Sequence, residues 1–91
     1  MVTIPVGLGE IKISQNPDDV LTIYGLGSCV GVGMYDPQTR TAGLLHAVLP
    51  EGKPEHNHSP KYVNTGIEKL ISMLEEEGVE KRRIKVHMVG G

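Results

Sequence analysis

Ninety-one residues with nine basic and eleven acidic side chains carry a formal charge of −2, which offers no broad attraction for nucleic acid or for an anionic membrane surface. With no Phe or Trp and a lone cysteine, the chain calls for one small domain, residues 1–91, with a compact aliphatic core, and it excludes an internal disulfide. No apolar run reaches membrane length and no basic segment precedes a long apolar one at the N-terminus, so a cytoplasmic protein without membrane insertion is expected.

In chain order, Val2 to Ile4 and Glu10 to Ile13 read as short strands punctuated by Pro5, Gly7 and Gly9, and Asn16-Pro17-Asp18 reads as a turn. Val20 to Tyr24 is the next strand. Val30 to Tyr35 and Ala42 to Leu49 flank Asp36-Pro37-Gln38-Thr39, a segment with Asp at the first and Pro at the second position of a β-turn, which predicts a hairpin. From Pro50 to Ser59 the sequence turns polar and proline-rich, the composition of an exposed loop at the end of the sheet.

Ser59 then has the chemistry of an N-cap and Pro60 suits a first helical position. Val63, Ile67, Leu70, Ile71 and Leu74 recur at helical spacing until Gly78, so a helix is predicted from Pro60 to Glu77 with that apolar face turned to a sheet. Glu75-Glu76-Glu77 falls at the negative pole of this helix as a solvated charged surface, with Lys81, Arg82 and Arg83 near enough to offset the repulsion. Ile84 to Val89 forms a last strand, and Gly90-Gly91 reads as the start of a loop. The fold class expected is α/β of the α+β type: a mainly antiparallel or mixed sheet packed against one main helix in a layered sandwich.

The chemistry centres on Cys29 and His46. A hairpin with its midpoint between Pro37 and Gln38 makes the numbers of facing residues sum to about 75. Cys29 then faces His46, with Cβ atoms about 5 Å apart and imidazole within reach of the thiol. Gly25 and Gly27 allow a sharp turn that brings bare N–H groups, those of Gly27 and Ser28 among them, near a substrate carbonyl as an oxyanion hole. Under strict alternation Gly31 and Gly33 share the face of Cys29 and leave an open shelf beside the sulfur. This arrangement points to a nucleophilic cysteine activated by a histidine, against the plainer reading of a small buried thiol. No Lys or Ser/Thr completes a phosphate loop around the glycines, so nucleotide binding is not expected. His56 and His58 alternate in the polar loop, either as solvated side chains or, with His46 or Cys29, as zinc ligands. His87 is expected to face the surface from the last strand.

Gly25-Leu26-Gly27-Ser28-Cys29-Val30, Leu45-His46-Ala47-Val48-Leu49-Pro50 and Pro60-Lys61-Tyr62-Val63-Asn64 closely resemble, in this order, the CheD proteins, the chemoreceptor glutamine deamidases of bacterial and archaeal chemotaxis. The resemblance extends to Val89-Gly90-Gly91. CheD proteins normally continue past that glycine pair, so the chain resembles an N-terminal portion or a member shortened at its C-terminus. The resemblance implies a cysteine hydrolase that converts receptor glutamines to glutamates with release of ammonia, needs no cofactor or metal, and has methyl-accepting chemoreceptors and a CheC-type phosphatase as partners. It implies Cys29 as nucleophile and His46 as base. The family's threonine in the preceding strand matches Ile23 without a gap, and Thr22, one position earlier and on the opposite strand face, is the candidate third member. Asn64 stands where an acidic residue is expected in relatives. The alternative is a non-catalytic CheD-like module that binds chemoreceptors or the phosphatase.

Overall fold

The computed structural model describes residues 1–25, 27–49 and 59–90. Six strands, β1 (Val2–Pro5), β2 (Glu10–Ser14), β3 (Asp19–Thr22), β4 (Val30–Asp36), β5 (Thr41–Ala47) and β6 (Lys85–Gly90), accompany one helix, α1 (Val63–Glu76), and a short 3₁₀ turn at Lys81–Arg83. The four-stranded sheet has the order β2-β5-β4-β6 with every neighbour antiparallel, and β1 and β3 pair in parallel as a separate ribbon. The expected class, one main helix against a mostly antiparallel sheet, describes this architecture.

Side-chain alternation divides the central sheet into two faces. Leu45 of β5, facing Val32 of β4 and Ile11 of β2, points to α1 and joins Met34, Ala47, Leu70, Leu74 and Val79 in the buried core. Val63, Ile67 and Ile71 pack on its border, so all five predicted apolar helix positions turn to the sheet. Two glycines set the closeness of this packing. A Cβ at Gly66 would lie 2.8 Å from Leu45 Cδ2, and one at Gly43 would lie 2.6 Å from Leu70 Cδ1, so helix and strand approach where side chains are absent.

The helix ends as its sequence predicts: Gly78 takes φ +91°, its N–H bonds the carbonyl of Glu75, and the N–H of Val79 bonds that of Leu74, which satisfies carbonyls the helix leaves open. It begins later than predicted, at Val63 rather than Pro60. Lys61 and Tyr62 are engaged with the segment after β5: Val48 and Leu49 both donate to Lys61 O, Val63 donates to Leu49 O, and Leu49 bridges Tyr62 in parallel. Ser59 accordingly caps a turn, its Oγ accepting from Lys61 N and its carbonyl from Thr65 Oγ1 at 2.6 Å.

The β4–β5 hairpin forms, but in a register two residues from the predicted one. Asp36 faces Thr41 and Gly31 faces His46, so facing numbers sum to 77, because the turn holds four residues, Pro37 to Arg40. Arg40 closes it in the left-handed region at φ 55°. The turn is braced on Asp36, fully buried, whose carboxylate accepts from Gln38 N, Thr39 Oγ1 and the Arg83 guanidinium. The hydrogen bonds of Arg83 hold the Asp36 pKa well below the ordinary carboxylate range against the opposing effect of burial, and Asp36 in turn raises that of Arg83. Two of the cations after the helix are thus engaged away from Glu75–Glu77. Arg82 and Arg83 pair with Glu80, and Arg83 with Asp36.

At the far edge of the sheet β6 is exposed along its whole length, with Val86, Met88 and Val89 each more than half accessible. His87 is exposed, as expected. No helix among the described residues is long and apolar enough to cross a membrane.

Candidate active site

The second face of the central sheet carries Gly31, His46 and Glu10 across β4, β5 and β2. Here the β1–β2 connection, Val6 to Gly9, folds over His46 and is tied to it by main chain and side chain together. Gly9 N donates to His46 O at 2.7 Å, and His46 Nδ1 bonds Val6 O at 3.1 Å. The connection is stiffened from within: Gly7 N donates to Glu10 Oε1 at 2.8 Å and Glu10 N to Gly7 O. It is fastened to β3 by Val6 N, which donates to Thr22 O at 2.8 Å. His46 is 4% exposed, and its Nε2 is the one buried side-chain nitrogen or oxygen without a hydrogen-bond partner among the described residues.

Cys29 and His46 line one cavity of about 270 Å³, together with Pro5, Val6, Gly7, Leu8, Tyr24 and Gly25. Cys29 is a partly buried free thiol. It lies just before β4 and is not directly opposite His46, whose cross-strand partner is Gly31. The two-residue register shift is even, so it keeps the side-chain parity on which the pairing depended. Gly31, expected as open shelf, faces His46 across the β4–β5 ladder, so no side chain stands opposite the histidine there. Gly25 and Gly27 adopt φ +65° and +56°, the left-handed conformation that a sharp turn before the cysteine demands. Gly27 and Ser28 are both exposed on this turn.

Thr22 is in a different place. It ends β3, paired in parallel with Pro5, and its side borders a neighbouring apolar cavity of about 360 Å³ with Leu21, Ile23, Gly31, Gly33, Leu44, His87 and Val89. Its hydroxyl makes no hydrogen bond to His46 among the described residues, and the link from Thr22 toward the ring is its backbone carbonyl on Val6 N. Asn64 is exposed on the first turn of α1. His56 and His58 lie outside the described residues, among which no cluster of three His, Cys, Asp or Glu could hold a metal ion. Sequence reasoning missed the part played by Val6 to Gly9. Glycines there signal a turn, but nothing in the residue type of Val6 announces that its carbonyl meets a histidine forty positions on.

The chain is 42% identical over 89 residues to the probable chemoreceptor glutamine deamidase CheD of Symbiobacterium thermophilum, across 94% of its own length and 54% of that protein. It is 41% identical over 93 residues to the chemoreceptor glutamine deamidase CheD of Bacillus subtilis, across 99% of its length and 55% of the relative. A profile of the family described as CheD chemotactic sensory transduction matches residues 48–91. The chain is similar to CheD proteins along nearly all of its length. A third relative, the probable chemoreceptor glutamine deamidase CheD of Pyrococcus horikoshii, is 39% identical with 100% of the chain and 57% of the relative covered. The chain thus spans just over half the length of these curated CheD relatives. The pairwise likeness runs through the segments bearing Cys29 and His46, while the family profile matches the part from Val48 onward, which holds α1 and β6.

Proposed function

We propose that the chain carries the catalytic half-site of a chemoreceptor glutamine deamidase, a cysteine-dependent amide hydrolase that turns receptor glutamines into glutamates in chemotaxis signalling. The observation that carries this reading is the shared cavity: a free thiol and a buried imidazole with an unpartnered Nε2 line one pocket, in a chain about 40% identical to proteins named for that reaction.

In this reading Cys29 is the nucleophile and His46 the general base. His46 Nε2 takes the Sγ proton, and the thiolate attacks the side-chain carbonyl carbon of glutamine. The oxyanion of the tetrahedral intermediate is held by N–H groups of the Gly27–Ser28 turn. The carbon–nitrogen bond then breaks, His46 returns its proton to the leaving nitrogen, and ammonia departs from a Cys29 thioester. His46 next deprotonates a water, whose oxygen attacks the thioester carbonyl, and the thiol is restored as glutamate leaves. The sum is amide plus water to acid plus ammonia, with no cofactor in the balance. Thr22 enters this scheme as the residue behind the loop that holds His46. The reading is set in the cytoplasm, where a lone thiol stays reduced, and it includes a CheC-type phosphatase as second partner, a role supported by the motif resemblance alone.

The test is incubation with a glutamine-bearing chemoreceptor cytoplasmic fragment, with mass spectrometry of its peptides to detect the gain of amide-to-acid conversion, beside Cys29→Ser and His46→Ala. Conversion by the parent and by neither variant is the expected result. Receptor binding without conversion would replace this reading with that of a non-catalytic binding module.

A further inference from the structure

We infer that the group positioning His46 is the main-chain carbonyl of Val6, and that Thr22 acts on the site through its backbone and not through its hydroxyl. The inference rests on the deamidase reading for its catalytic meaning, while its structural content stands by itself.

A carbonyl oxygen can only accept a hydrogen bond. The 3.1 Å contact between Val6 O and His46 Nδ1 therefore requires the proton of the neutral ring to sit on Nδ1. That leaves the lone pair on Nε2, the nitrogen which has no partner among the described residues. Fixing the tautomer through the other ring nitrogen is the task that a carboxylate or an amide side chain performs in serine and cysteine hydrolases. Here a neutral backbone oxygen meets the need, and it is held in place at several points. Val6 is 3% exposed, its own N–H is tied to Thr22 O at 2.8 Å, and the peptide that follows its carbonyl donates from Gly7 N to Glu10 Oε1 at 2.8 Å. Gly9 N closes the loop on His46 O at 2.7 Å. Thr22 O to Val6 N and Val6 O to His46 Nδ1 form a relay of two hydrogen bonds from the end of β3 to the ring. The relay uses no side chain before the imidazole, so it is indifferent to which side chain stands at position 22, or to the presence of Ile23 where a threonine is expected.

The decisive readout is the tautomer of His46, taken from long-range proton–nitrogen correlation spectra of the full chain with nitrogen-15-labelled histidine, recorded without substrate under conditions where the ring is neutral. The expected result is Nδ1–H in the parent and Nδ1–H again in Thr22→Val. An Nε2–H tautomer in the parent, or a change of tautomer in Thr22→Val, overturns the inference. A semisynthetic chain in which the Val6–Gly7 amide is an ester weakens the carbonyl as acceptor. It is expected to lose the tautomer preference and to lower kcat by about tenfold with KM unchanged, the scale of one hydrogen bond. The ester also removes Gly7 N–H, so Glu10→Ala, which removes that donor's acceptor, is expected to keep the Nδ1–H tautomer. Because the tautomer is read without substrate, a failure of the positioning inference is distinct from a failure of the deamidase reading.

Discussion

The two faces of the β4–β5 pair are built by alternate residues of the same seven-residue strands, and they do opposite things. The face toward α1 is closed, with Val32 and Leu45 at 0% exposure and glycines placed where helix and strand must touch. The face toward the β1–β2 loop is recessed at Gly31, holds a buried histidine whose Nε2 is unpartnered among the described residues, and opens onto a thiol. Alternation lets the first face contribute stability while the second keeps a polar group unsatisfied, a cost of about 1–3 kcal/mol for a buried group that a protein sustains where the group has work to do. Stability and an unsatisfied polar group are thus separated by position along one strand.

That separation is open to direct attack. The largest effect belongs to Cys29→Ser, which is expected to lower the proposed deamidation by about a thousandfold or more, while leaving stability in chemical denaturation within about 0.5 kcal/mol of the parent. A large stability loss in this variant would show that the cavity face is also part of the core. On the other face Leu45→Ala is expected to destabilise by about 2–5 kcal/mol in urea titrations, since Leu45 is completely buried between the central sheet and α1. Gly66→Ala sharpens the same point, with an expected loss of about 1–3 kcal/mol, because its Cβ must push against the Leu45 methyls. If Gly66→Ala were neutral, helix and sheet would have room to separate and the close packing would not be a constraint.

The smallest effect is confined to acid. Asp36 has a lowered pKa in the folded state because Arg83 hydrogen-bonds its carboxylate. Its contribution is thus fully present above the ordinary aspartate pKa of about 3.9 and is lost as pH falls from there toward the folded value. Thermal unfolding followed from neutral pH down to about pH 3 should show a decline in the parent that is shallower in Asp36→Asn. Identical slopes would mean that other carboxylates govern the acid limb.

Much of the fold is legible in residue order because its signals are local. The apolar positions Val63 to Leu74 and the stop at Gly78 depend on spacing and backbone freedom alone, and α1 follows them. The start of α1 depended instead on Leu49 and Val48 competing for Lys61 and Tyr62, a tertiary preference that Ser59 and Pro60 do not encode. Hairpin register failed for a related reason. Asp36-Pro37 marks where the turn begins, but its end is set by Arg40 in a left-handed conformation that no glycine advertises. The association of Cys29 with His46 survived the error, because a shift of two preserves the face. The parallel β1–β3 ribbon spans β2 in sequence, so no local pattern announces it, and with it went the position of Thr22. Val6 was invisible for a deeper reason: every residue owns a carbonyl, and only the folded chain decides which one meets a ring nitrogen.

In the proposed mechanism Cys29 passes through a thioester formed with the help of His46, and hydroxylamine is the reagent that would trap that species. With hydroxylamine added to the receptor-fragment reaction, glutamine peptides are expected to appear as hydroxamates in place of glutamates, in the parent and not in Cys29→Ser or His46→Ala. Conversion to glutamate alone, undiminished by hydroxylamine and retained in Cys29→Ser, would contradict that mechanism.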